Sequence, residues 1–269
     1  MARSRRRSRT REGGTIGTFL AVIAIVAMIS GTVAFFYWSY SDSDLEIDEA
    51  SLCPETGPTA HLAILVDTTD PMTFTQVEAA RQQIERKIAE AAVHTRISFG
   101  TVNPDMDTRG GTFFSMCKPQ SGADASILTQ NPQMVEDRFR NEFAGPVSRA
   151  MGTLLRVPEA QSSPIMESAQ EFATRIPGFT ITEVPRELVL LSDLIQHSEI
   201  FSFYRGGDWN SFEAAGGPSR FGSAYGGATV TVLRIPRLPE QNAIIDNFWV
   251  RYFDAHGFDD IRVIQLGVL

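Results

Sequence analysis

Two carboxylates stand at the ends of apolar runs. Asp67 closes HLAILVD (residues 61–67), and Asp193 closes ELVLLSD (residues 187–193). Short apolar runs of this kind read as buried strands of a parallel sheet. A side chain just past such a strand opens onto the sheet edge where ligands of open α/β folds bind. Thr69 and Thr73 add hydroxyls beyond Asp67, and Ser163 precedes Pro164 at a helix start. Three loops would then bring carboxylates and hydroxyls together, an oxygen-only donor set that suits a hard divalent cation. Strand-end aspartates also serve simply to cap the next helix, so the residue types alone leave both roles open.

The elements that must position these groups alternate along the chain. Strands are expected at 61–67, 95–102, 112–117, 187–193, 228–235 and 261–268, and the principal helices at 74–93, 133–143, 146–155, 164–176 and 241–256. The 74–93 segment carries Val77, Ala80, Ile84, Ile88 and Ala91 at helical spacing. Ser163 is expected to cap the helix that Pro164 opens. A glycine-containing turn at Arg109 to Gly111 makes 112–117 antiparallel to 95–102. The fold class expected is a three-layer, Rossmann-like α/β domain with a mostly parallel six-stranded sheet and one antiparallel edge strand. Residues 206–227, rich in glycine, read as a long irregular stretch.

Charge divides the chain. Residues 1–14 hold six arginines and one glutamate, about +5, which leaves 18 basic and 31 acidic residues, about −13, for the rest. So acidic a remainder argues against nucleic acid, whose phosphates need clustered Lys and Arg. From Thr15 to Trp38 there is no charged residue, and the run ends in Phe35, Phe36, Tyr37 and Trp38. It is long enough to cross a hydrocarbon core of roughly 30 Å as a helix, with aromatic rings at the headgroup level. The expected organisation is a basic cytoplasmic tail (1–14), a single-pass signal anchor (15–38), an acidic linker (39–58) and a domain from 59 to 269. The N-terminal arginines place that domain on the outer, periplasmic side of an inner membrane. Export brings an oxidising compartment, which permits a bridge between the two cysteines, Cys53 and Cys117. Cys53 lies just before the strand at 61–67, and an antiparallel 112–117 strand would finish at that same edge.

The segments HLAILVDTTDPMT, SSPIMESAQEFA and RELVLLSDL resemble the von Willebrand factor A domain over about residues 60–268. In that family a Rossmann-like sheet carries a metal-ion-dependent adhesion site with the pattern Asp-x-Ser-x-Ser, a Thr on a second loop and an Asp after the fourth strand. The resemblance puts Asp67 on the first Asp, Thr69 on the first Ser, Ser163 on the Thr and Asp193 on the last Asp. The second Ser falls on Pro71, which offers no side-chain ligand. What the resemblance implies is a bound Mg²⁺ or Mn²⁺ with one open coordination position, filled by an acidic side chain of a partner protein.

The chain is therefore expected to bind rather than catalyse, engaging an unidentified protein of the cell envelope. The Gly-x-Ser-x-Gly, Gly-x-x-x-x-Gly-Lys, His-Glu-x-x-His and Gly-x-Gly-x-x-Gly patterns are all absent from the sequence. The alternative is a metal-dependent hydrolase using Asp67 and Asp193. The aromatic stretch 201–225 offers Tyr204, Arg205 and Trp209 as partner-binding anchors, since aromatic residues and Arg are enriched at interfaces. Its other reading is a long loop that packs its own aromatics back onto the domain.

Overall fold

The computed structural model describes residues 14–41, 45–105, 112–155, 160–181, 183–221, 225–237 and 242–267. The chain divides into two units, Met1–Glu46 and Ile47–Leu269. In the first, α1 (Gly14–Ser41) carries an 18-residue window, Leu20–Tyr37, of mean hydropathy 2.3 whose side chains are exposed throughout. By length and composition it is able to cross a bilayer; a signal sequence has the same composition. The N-terminal arginines and the Arg109–Gly111 turn lie outside the described residues.

The second unit is a six-stranded sheet of order β3-β2-β1-β4-β5-β6. Its strands are β1 (Ala60–Val66), β2 (Thr95–Thr101), β3 (Thr112–Cys117), β4 (Arg186–Ser192), β5 (Ala228–Arg234) and β6 (Phe258–Gln265). All neighbours are parallel except β2 and β3, so the expected fold class holds, antiparallel edge strand included. On β1 successive side chains point to opposite faces. Ala63 and Leu65 join one buried cluster, with α5 (Ile165–Arg175) and α8 (Asn242–Ala255). Leu62, Ile64 and Val66 join the other, with α2 (Phe74–Glu90) and α4 (Gly145–Leu154). A central strand buried on both faces has no polar alternation to show, which is why it reads as an uninterrupted apolar run.

Three local expectations need correction. The two helices expected between 133 and 155 form one continuous stretch, in which α3 (Pro132–Arg138) passes through a π-helical turn, Phe139–Ala144, into α4. Pro146 has no N–H to give, and the wider turn accommodates that missing bond. The stretch expected to be irregular holds a 3₁₀ turn at Phe203–Arg205, α6 (Trp209–Ala214) and α7 (Gly217–Arg220). Strand β6 lies at the sheet edge with exposed Arg262, Val263 and Gln265, and begins three residues earlier than its apolar residues suggest.

His61 is buried in β1. Burial, and then the charges of Arg96 and Arg186, push its pKa down to about 4. The folded state thus favours neutral His61, and the resulting stability is present in full above the unfolded value near 6.5 and lost as pH falls toward 4. Denaturant unfolding should show the wild-type chain losing about 2 kcal/mol more than His61→Gln between pH 7 and pH 5. Equal losses in the two proteins would count against this account.

Candidate functional site

The sequence order of the strands reverses between β1 and β4, which makes their C-terminal ends the topological switch point of the sheet. Asp67 and Asp193 are the first residues past those two strands. Asp67 N–H still donates to Leu191 O (2.8 Å), so the β1–β4 pairing fixes where its carboxylate lies.

That carboxylate accepts four hydrogen bonds. Thr69 donates twice to Oδ1, from N at 3.1 Å and Oγ1 at 2.6 Å, while Ser163 Oγ (3.0 Å) and Ser192 Oγ (2.9 Å) donate to Oδ2. Ser163 is held in place by reciprocal backbone bonds with His197, both 2.9 Å. Its hydroxyl therefore serves Asp67 and not the helix start, where Pro164 occupies the N-cap position and no side chain caps. Thr73 is the residue that caps, closing a reciprocal pair with Gln76 at the start of α2.

Asp193 Oδ1 accepts from Ile195 N (2.9 Å), and its Oδ2 lies 3.3 Å from Arg237 Nε. Leu194, which follows, has φ of 63°, a strained conformation for a branched side chain. Ser192 Oγ accepts its N–H (2.8 Å) and Trp249 Nε1 donates to its carbonyl (2.8 Å), so both neighbours hold the turn open.

The site is buried: Asp67, Thr68, Thr69, Ser163, Ser192 and Asp193 are each 5% exposed or less. Burial raises the pKa of Asp67 against the opposing pull of its hydrogen bonds from Thr69, Ser192 and Ser163. Asp193 is pushed up to about 7, by burial first, then by the charge of Asp67, with Asp70 adding to it and Ile195 N–H and Arg237 opposing. Two desolvated acidic groups whose charges oppose each other, one of them partnered by neutral hydroxyls, favour uptake of a proton or a cation. Thr68 Oγ1, also buried, has no hydrogen-bond partner among the described residues. In charge and ligand type this donor set is compatible with a hard cation, which Asp67, Thr69, Ser163 and Asp193 would hold, while Pro71 offers no side-chain ligand.

All four residues expected at the site lie on the loops at this one sheet edge. Tyr204 stands at its rim: the ring meets His197 edge-on (5.3 Å), and burial, then Asp70 and Asp193, raise its hydroxyl pKa. Arg205 donates to the carbonyls of Ser198 (2.6 Å) and Glu199 (3.3 Å) and lines a cleft of about 410 Å³ with His197 and Glu167. Trp209 lies apart from them, against Phe212 and Phe248, where it lines a different cleft with α8. The remaining aromatics of the stretch, Phe201, Phe203, Phe212, Phe221 and Tyr225, are buried in the core. Sequence reasoning missed Ser192 and Arg237. Ser192 was visible as the polar residue that interrupts the apolar run Leu188–Leu191 just before Asp193; Arg237, beyond β5, carries no local signal.

No known family model matches the chain, and no curated protein does. Among solved structures the chain is similar to one described as "Crystal Structure of the SpRpn10 VWA domain", with 12% identity, covering 78% of this chain and 90% of that one at a TM-score of 0.38. So distant an overlay adds nothing to the site. The sheet order of this chain, its single antiparallel edge and its two helical layers themselves fit an α/β von Willebrand factor A-like fold.

Proposed function

We propose that this chain is a membrane-anchored, extracytoplasmic protein-binding module whose recognition centre is the loop edge around Asp67 and Asp193. The observation that carries this is the meeting of two buried, hydroxyl-lined carboxylates at the switch point of a von Willebrand factor A-like sheet. In this reading Asp67, Thr69, Ser163 and Asp193 hold Mg²⁺ or Mn²⁺. An ion with only two charged ligands stays electrophilic enough to accept an acidic side chain from outside. The residues of this chain supply charge, orientation and a water-poor floor, and Tyr204 at the rim would meet the incoming segment. The apolar α1 and the arginines before it support an anchor with the domain outside the cytoplasm. The partner would then be a protein of the cell envelope, and the acidity of the domain turns the reading away from nucleic acid.

Thermal unfolding with and without ion tests the centre. At a hundredfold excess of Mn²⁺ over its Kd, binding to the folded state stabilises by about 2.7 kcal/mol, an increase in Tm of roughly 5–10 °C for a domain of this size. Asp193→Ala should erase that increment. An unchanged Tm for the wild-type chain at millimolar Mn²⁺ and Mg²⁺ would remove the cation from the proposal.

A further inference from the structure

Three of the four carboxylate oxygens in the centre are bonded to neutral donors: Asp67 Oδ1 to Thr69, Asp67 Oδ2 to Ser163 and Ser192, Asp193 Oδ1 to Ile195 N. The fourth, Asp193 Oδ2, faces a charge, the Arg237 guanidinium, with Nε at 3.3 Å. Nη2 of the same guanidinium donates to the carbonyl of Pro71. Pro71 occupies the position where the adhesion-site pattern has its second hydroxyl. The residue that withholds a ligand from an ion is thus the residue that holds an arginine in place.

We infer that Arg237 is a tethered competitor of the divalent cation, and that guanidinium and ion occupy Asp193 alternately. This rests on the proposed cation centre. A dication bound through Asp193 would lie against a guanidinium that cannot lose its charge, and two positive groups on one carboxylate repel strongly where water is scarce. Arg237 is also placed to leave. Its Nε is buried beside Asp193 yet makes no hydrogen bond among the described residues, so the contact there is an ion pair without an aligned N–H, and among those residues the Pro71 carbonyl is its directed anchor in the centre. The side chain is a quarter exposed, whereas that of Asp193 is 4% exposed, so the arginine has solvent to move into and the aspartate does not. Arg237 lies just beyond the last strand residue of β5, Arg234, so ion binding is coupled to the chain leaving that strand. The coupling is reciprocal: whatever draws Arg237 outward, an acidic group on a partner included, raises the affinity for the ion by the same factor that the ion raises affinity for it.

Mn²⁺ titration of the full chain in detergent, followed by the electron paramagnetic resonance signal of free Mn²⁺, tests this without reference to any partner. Arg237→Gln should bind Mn²⁺ about tenfold or more tightly than wild type, within the usual span of coupling factors. Arg237→Lys, which keeps the charge but loses the planar fork, should fall between the two and guards against misfolding of the glutamine variant. Arg262→Gln removes an exposed charge from β6 and should bind as wild type does. Equal or weaker binding by Arg237→Gln, or an equal gain in Arg262→Gln, overturns the competition while leaving the cation centre intact. Absence of binding in both wild type and Arg237→Gln at millimolar Mn²⁺ overturns the centre itself, and the competition with it.

Discussion

Replacing both Cys53 and Cys117 by alanine should lower the unfolding free energy by about 4 kcal/mol, the chain-entropy value for a bridge spanning 64 residues. The bridge follows from strand direction. Ala60 at the start of β1 pairs with Thr95 at the start of β2, and the antiparallel β3 ends with Cys117 opposite Arg96. The chain approaching β1 meets that end: Cys117 N–H donates to Ser51 O (2.7 Å), and the Cα atoms of the two cysteines are 4.8 Å apart. Both residues are buried, so alanine leaves small cavities and no unpaired polar group. Urea unfolding of the oxidised wild type and the double variant gives the difference directly. A loss below about 1 kcal/mol would mean that the bonds of residues 48–54 and the packing around them already restrain this segment without the bridge.

Phe248→Ala should be about as costly, 3–5 kcal/mol. Phe248 projects from α8 into the aromatic cluster, with ring centroids 4.7 Å from Phe201, 5.1 Å from Phe203, 5.2 Å from Phe212 and 5.7 Å from Trp209. It is 1% exposed, and its removal leaves a void lined by rings too large to collapse onto each other without leaving their rotamers. The effect should reach the candidate site as well, because the adjacent Trp249 holds the Leu194 carbonyl next to Asp193. Denaturant unfolding followed by tryptophan fluorescence measures the stability. A change under 1 kcal/mol would show that the cluster repacks freely and is not what seats the 201–212 segment.

How much of this was legible in the sequence differs between sheet and site. Strands β1, β2, β4 and β5 were found to within a residue or two, because a strand buried on both faces writes itself as an apolar run. Strand β6 was misplaced: at an edge its exposed positions carry Asp259, Arg262 and Gln265, which dilute the pattern. Residues 206–227 were expected to be irregular yet hold short helices, because glycine and aromatic residues carry weak helical propensity and these helices are stabilised by burying rings rather than by propensity. At the site, Asp67 and Asp193 were visible because chemistry followed directly on strand ends. Ser163 was placed at the right edge but given a capping role, since Ser-Pro is a local signal whereas its bond to Asp67 spans 96 residues. Arg237 could not be found from local pattern at all, because what places it is the pairing of β5 beside β4.

The cross-link between Cys53 and Cys117 also decides how the domain carries load. A pull on the chain ahead of Cys53 does not arrive at β1 alone, because the sulfur bridge passes part of it to β3. Force is then divided between the centre of the sheet and its antiparallel margin, where β2 and β3 share five paired positions. Peeling β1 away from its end would have to begin by dragging that margin as well. With the thiols reduced, the backbone bond from Cys117 N–H to Ser51 O would be left to tie this segment to β3, so more of the same pull would reach β1, and the redox state of one bond sets how the load is shared across the sheet.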